Sequence, residues 1–451
     1  MLKVAIVGSG ISGLAAAHTL HGVAEITLYE AGNYFGGHTH TVDVTLPTPN
    51  GDITHGVDTG FLVFNDRTYP ELIQLFEDLG VGTAKSDMSF SVQSQNTKTG
   101  HRLEWSGTSL NALFAQRSNL VSWRFWRMLS DILRFNSLCT QIAGQDTEGQ
   151  MRQTVGDFLN ENRFSDEFCD GYFLPMAACI WSCPTTQMLA FPMATMIRFC
   201  HNHGLLQISN RPQWWTVQGG AKHYVEKIAA SVTDKRLNTP VRMIERLGQD
   251  AREASHNATP KAIRISTDHT QEYFDAVIIA THSDEALALL KAPTQLEQTL
   301  LGAIKYHPNR AVLHTDATVL PNRKAAWAAW NYERAVVNKA QGTGSTDAVA
   351  EVCLHYLINR LQPLPWSQPV VVSLNPLRDI AEEYVLGQYD YSHPVFDTAA
   401  IKAQRQIPWL QGQHNTYYCG AWMGYGFHED GLKAGQLAAT QLLNHRGQGA
   451  P

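Results

Sequence analysis

The sequence predicts an α/β fold in which a parallel-sheet domain is interrupted by an inserted domain of mixed α/β character. Three observations lead to it. The chain opens with a β-branched run, Val4-Ala-Ile-Val7, then Gly8-Ser-Gly10-Ile11-Ser12-Gly13, an Ala-rich helical stretch and a second strand ending Tyr29-Glu30. From about Met88 to Asn210 the alternation of strand and helix gives way to helical stretches rich in aromatic residues. Near the C-terminus a strand ends in Gly420, a short glycine loop follows, and a helix begins near His428.

The opening unit has the order of a Rossmann-like βαβ unit: strand, glycine turn, helix, strand, acid. Gly8 allows the tight turn, Gly10 lets a pyrophosphate approach the backbone with no Cβ in the way, and Gly13 lets the helix pack close to the sheet. Glu30 stands where a carboxylate accepts hydrogen bonds from a ribose. At 451 residues the chain suits two interleaved domains, and 44% hydrophobic with 17% charged residues suits a large core. A net charge of −6 gives no electrostatic footprint for nucleic acid. No run of about 18 apolar residues offers a membrane span. Met1 leads directly into the first strand, without a leader pattern, so a cytoplasmic protein is expected. Seven cysteines, an odd number, point to reduced thiols. Cys179, Cys183, Cys200, His201 and His203 come nearest to a metal set, but spacings of four and one fit helical faces better than the paired ligand hooks of zinc sites. No metal is expected.

In chain order, Asp58-Thr59-Gly60-Phe61 precedes a helix opened by Tyr69-Pro70-Glu71, with Leu72, Leu75, Phe76 and Leu79 on one face. Residues 120–135, opened by Leu120 and closed by Phe135, read as a basic amphipathic helix. Val121, Phe125, Met128, Leu129 and Ile132 share one face, Arg124, Arg127 and Arg134 another, and Trp123 and Trp126 flank them. The pattern suits two settings, an anionic lipid surface or a solvated basic face over a core. Gly219-Gly220 predicts a turn before a helix at 224–232, and Thr239-Pro240-Val241 starts a strand. Further strands are expected at 261–267 and at 273–281, ending in Thr281, with a polar surface loop at 249–259. From 304 to 380, alternating strands such as 310–316 and 369–375 suggest a mixed or antiparallel sheet, with Trp327, Trp330, Asn331, Tyr332, His355 and Tyr356 as candidates for lining a pocket.

Glu30-Ala31-Gly-Asn-Tyr-Phe-Gly36-Gly37-His38 and the closing run from Tyr417 to Gly435 resemble the flavin amine oxidase superfamily, which includes protoporphyrinogen oxidase and phytoene desaturase. Trp330-Asn-Tyr332, His393-Pro-Val-Phe-Asp397 and Gly426-Phe-His-Glu-Asp-Gly431 resemble one bacterial subgroup of predicted NAD/FAD-binding oxidoreductases. The resemblance implies FAD, in an FAD-binding domain of the amine-oxidase (GR2) type assembled from residues 1–87, 211–303 and 393–451. The substrate domain would come from residues 88–210, mainly helical, and 304–392, mainly sheet. Cofactor contacts are implied for Gly8, Gly10, Ile11, Ser12, Gly13, Glu30, Ala31, Gly36, Gly37, His38, Gly60, Phe61, Val241, Thr281, Gly420, Gly426, Phe427, His428 and Leu432. His38 replaces the family's usual arginine and is a weaker donor. Ala421 follows Gly420 where the family has glutamate. Many amine oxidases of the family hold a lysine near the flavin; here Asn309 or Arg310 falls nearer that place than Lys305, which weakens an amine-oxidase reading. Tyr332 and His428 are the expected groups for assisting proton removal. The subgroup's association with methyltransferases of the cyclopropane-fatty-acid-synthase type implies hydride abstraction from a lipid acyl chain, and the basic amphipathic pattern of residues 120–135 offers peripheral contact at an anionic inner membrane. A small-molecule amine oxidase and a non-catalytic flavoprotein acting as a lipid-binding or partner module are the rival readings.

Overall fold

The computed structural model describes residues 1–95, 102–143, 153–207, 211–248, 262–334 and 352–447. The loop expected at 249–259 lies outside them. Five parallel strands form the first sheet, in the order Asp234–Arg236, Ala24–Tyr29, Leu2–Val7, Ala276–Ile279, Thr416–Tyr418. Ala276–Ile279 and the last four residues of Leu2–Val7 are wholly buried, as strands covered on both faces must be. The segment expected as one strand at 273–281 is two, because Asp275 interrupts it. Its N–H donates to the Lys3 carbonyl and its carboxylate accepts from the Lys3 N–H, each at 2.8 Å. Gln271–Phe274 therefore joins a separate three-stranded sheet.

Small residues bring the two ends of the chain together. A Cβ at Gly13 would run into the Gly8 carbonyl oxygen, and one at Gly435 into the Ser12 carbonyl oxygen. A Cβ at Gly431 would sit 2.7 Å from Ile11 Cγ2. The Ile11–Leu20 helix thus lies directly against the His428–Gly447 helix, and the C-terminal glycine loop arrives beside the N-terminal one.

The second large sheet has seven strands, ordered Val385–Val395, Lys305–His314, Val371–Leu374, Val352–Leu357, Trp330–Arg334, Phe90–Gln95, Arg102–Ser106. It is mixed: Trp330–Arg334 pairs parallel with Phe90–Gln95, and the other pairings are antiparallel. Two of its strands come from the 88–210 stretch, ahead of the helices there, so that stretch and the strands after residue 304 share one sheet. Helices including Trp123–Ala143, Leu174–Trp181 and Met193–Asn202 complete this core around Phe135, Phe168 and Phe173.

The helix expected at 120–135 begins later and runs Trp123–Ala143, after a 3₁₀ turn at Arg117–Val121. Its inner face, Phe125, Met128, Asp131, Phe135 and Cys139, packs on protein. The 3₁₀ turn takes Val121 out of that face and leaves it 88% exposed. Leu110, Leu120, Val121, Trp123 and Trp126 remain exposed around the start of the helix. No described helix is long and apolar enough to cross a membrane.

Candidate active site

A cavity of about 720 Å³ lies where the C-terminal edge of the parallel sheet meets the mixed sheet and the helices Leu174–Trp181 and Met193–Asn202. Its size is in the upper part of the range of small-molecule sites. One part of its wall is the glycine turn with Glu30, Gly36, Gly37, Val241, Thr281 and Gly420. A Cβ added at Gly10 meets nothing within 4 Å, so the backbone there is open to an approaching group. Glu30 accepts from Ser9 N–H at 3.0 Å, Ser9 Oγ at 2.5 Å and Gly32 N–H at 2.8 Å, which fixes its carboxylate at the cavity wall. His38 lines the wall with its Nε2 buried and without a hydrogen-bond partner among the described residues. Burial, and then His282, pull its pKa down to about 4, so it is a neutral ring offering one polar atom inward. A bare backbone, an anchored acid and an orphaned buried nitrogen fit a dinucleotide with ribose and phosphate groups.

The C-terminal loop closes this part. Asp430 accepts from the N–H groups of Tyr425 at 3.1 Å and Phe427 at 3.0 Å, holding the glycine loop in place. His428 stacks on Phe61, with ring centroids 3.8 Å apart, and its Nε2 meets the Tyr224 hydroxyl at 2.6 Å. Burial pushes His428 down to about 3. It is a neutral, hydrogen-bonded wall residue with one nitrogen already engaged.

Much of the remaining wall is apolar or aromatic, Met88, Ile180, Phe199, Leu205, Trp214, Trp330 and Tyr356, with Ser182, Arg242, His282, Glu285, Ser392 and His393 among its polar members. Among them stands His203, whose Nδ1–H donates to the Phe199 carbonyl at 3.0 Å while the ring stacks on Phe199 at 3.9 Å. This bond fixes the tautomer and leaves Nε2 as an acceptor with no partner among the described residues. Burial holds His203 at about 4, so it is uncharged near neutral pH. The carboxylates on the cavity wall are Glu30 and Glu285, and no described lining residue is a lysine.

Of the residues implied as cofactor contacts, Gly8, Gly10, Ile11, Ser12, Glu30, Ala31, Gly36, Gly37, His38, Gly60, Phe61, Val241, Thr281, Gly420, Gly426, Phe427 and His428 line the cavity. Gly13 and Leu432 stand behind it, the first where helix meets strand and the second in the core beneath the sheet. Tyr332 is buried in the core cluster and is not a lining residue. Its face of the strand is the one Trp330 uses, but it lies one step further along. Asn331 and His355 point to the opposite face, and Trp327 donates to the Pro321 carbonyl. Lys305 is exposed and Arg310 bonds Gln388, while Asn309 is buried against His393. Cys179, Cys183 and Cys200 are buried thiols whose pKa values burial raises, and among the described residues they form no ligand group. His203 sits in a polar run, His201-Asn202-His203, at the C-cap of the Met193–Asn202 helix, so nothing local singled it out, and its lining role depends on walls supplied from elsewhere.

No curated protein matches the chain in sequence. Among solved structures it is similar to cyclohexylamine oxidase from Brevibacterium oxydans IH-35A, at 14% identity and a TM-score of 0.63, covering 99% of each chain. It is similar to putrescine oxidase bound to putrescine, at 15% identity and a TM-score of 0.64, covering 98% of this chain and 99% of that one. A CLA-producing fatty acid isomerase from P. acnes matches at 14% identity and a TM-score of 0.60, covering 98% of both. At these identities the likeness concerns the fold. The family model for flavin-containing amine oxidoreductases matches residues 11–354, and the chain belongs to that family, as an FAD-dependent oxidoreductase.

Proposed function

We propose that this oxidoreductase removes a hydride from an apolar substrate, a lipid acyl chain, in a desaturase- or dehydrogenase-like reaction tied to fatty-acid modification. The observation that carries this reading is the apolar stretch of cavity wall formed by Met88, Ile180, Leu205 and aromatic rings, in a cavity with no lysine among its described lining residues. Bound FAD supplies the two-electron acceptor. The chain's own residues orient the substrate and keep water out: Phe199, Trp214, Trp330 and Tyr356 shape a dry channel, and His203 Nε2 offers one acceptor within it. His203 is then the group that holds a substrate O–H or takes up a proton, in place of Tyr332. The exposed Leu120, Val121, Trp123 and Trp126, with Arg117, Arg124 and Arg127 around them, support contact with an anionic membrane that presents such lipids.

A second reading, a small-molecule amine oxidase, is favoured by the aromatic rings, since Trp330 and Tyr356 meet edge to face at 5.1 Å and such walls also hold ammonium groups. Anaerobic mixing of the holoprotein with phospholipid liposomes, or with polyamines, while following flavin absorbance separates the two. Bleaching by acyl lipid supports the proposal. Bleaching by polyamines alone overturns it, and no bleaching by any of them leaves a binding module as the better account.

A further inference from the structure

We infer that Glu333, Cys353 and His355 form a binding site for one zinc-class divalent metal ion, on the face of the mixed sheet turned away from the cavity. The three residues come from neighbouring strands: Glu333 is the direct cross-strand partner of Cys353, and His355 stands two residues on, on the same face. His355 Nε2 is 3.0 Å from Glu333 Oε2 and 3.4 Å from Cys353 Sγ, and all three ligand atoms lie within 4.8 Å of one another. Zinc bonds of about 2.0–2.3 Å in tetrahedral array put neighbouring ligand atoms about 3.3–3.6 Å apart, so small side-chain shifts would seat the ion. Imidazole, thiolate and carboxylate together are a borderline-soft donor set that suits zinc rather than calcium or magnesium.

The surroundings are those of an oriented ligand. Cys353 and His355 are buried, and His355 Nδ1 meets Ser373 Oγ at 2.6 Å. Ser373 Oγ also meets His314 Nε2 at 2.7 Å, and His314 Nδ1 accepts from the Asp316 N–H at 3.1 Å. That backbone N–H places the proton of neutral His314 on Nε2, pointing at Ser373. The serine oxygen has a second lone pair for His355 Nδ1–H, which turns Nε2 of His355 towards the other two ligands. Glu333 keeps 29% of its side chain exposed, which leaves a way in and room for water as fourth ligand. The opposite face of these two strands carries Trp330 and Tyr356, so a bound ion would brace the strand pair that walls the cavity.

Titrating purified holoprotein with Co²⁺ tests this, because tetrahedral cobalt absorbs at wavelengths beyond the flavin bands and a thiolate ligand intensifies them. The expected result is a saturable 1:1 signal that Zn²⁺ displaces. The isosteric variants Glu333→Gln and Cys353→Ser, checked for normal flavin content, should each weaken binding at least tenfold. No tetrahedral signal in the wild-type protein would overturn the site, leaving a buried histidine–carboxylate pair and nothing more. A signal unchanged in both variants would overturn it equally, since the ion would then sit elsewhere.

Discussion

Gly10 and Gly13 lie three residues apart, and a methyl group added at each meets opposite surroundings. At Gly10, φ is −61°, an ordinary value for any residue, and the added carbon faces the open cavity. At Gly13 it collides with the Gly8 carbonyl. Gly10→Ala is therefore expected to change stability by less than about 0.5 kcal/mol while lowering flavin retention. Gly13→Ala is expected to lose about 3 kcal/mol or more through overpacking. The ratio of flavin to protein absorbance and a denaturant melt measure the two. Both glycines were legible because their need is local. His203 was not, because its role requires a tautomer set by Phe199 and walls from strands more than a hundred residues away. His203→Phe is expected to keep flavin binding while turnover with an acyl substrate falls at least about tenfold, the scale of one lost hydrogen bond to a positioned group.

Among the elements, the 3₁₀ turn and the Trp123–Ala143 helix show how far periodicity reaches. The 3.6-residue pattern located the inner face through Phe125 and Met128. It did not show that Ser122 would break the helix ahead of Trp123, nor that Asp131 would turn inward to accept from Ser165 N–H at 3.0 Å. With that face spent on protein, any lipid contact falls to the exposed knob. Trp123 is 64% and Trp126 50% exposed, so replacing both with serine should leave the melting temperature within a few degrees. Sedimentation with anionic liposomes should fall several-fold, and raised salt should weaken wild-type binding through Arg124 and Arg127. Unchanged sedimentation would remove the knob from the account. The Trp330–Arg334 strand gives a parallel lesson. The sequence offers Trp330, Asn331 and Tyr332 alike as lining residues; the strand's alternation removes Asn331 to the other face, and of the two residues left only Trp330 reaches the cavity.

Taken as a whole, the molecule folds several histidines in uncharged form. His38, His203 and His314 are pulled down to about 4, and His393 and His428 to about 3, burial being the first cause in each. Unfolded, they titrate near 6.5 and bind protons that the native state refuses. Their contribution is complete above about pH 6.5 and is lost as pH falls towards 4 and 3. Burial raises Asp58 to about 7 and Asp430 to about 6, which works the other way, but two carboxyls stand against five rings, so denaturant melts of the holoprotein should show stability dropping between about pH 6.5 and 4. A flat profile there would mean these rings are solvated. The joining of the two chain ends was legible at this scale, since glycine loops at both ends resembled parts of one cofactor cradle. The apolar stretch of cavity wall was not, because Met88, Leu205 and Trp330 become neighbours only through the fold.

The most direct test is the product itself. Phospholipid incubated aerobically with the holoprotein, then hydrolysed and examined by mass spectrometry, should yield acyl chains two hydrogens lighter than those supplied. Acyl chains recovered unchanged, while an added amine is oxidised under the same conditions, would contradict the account.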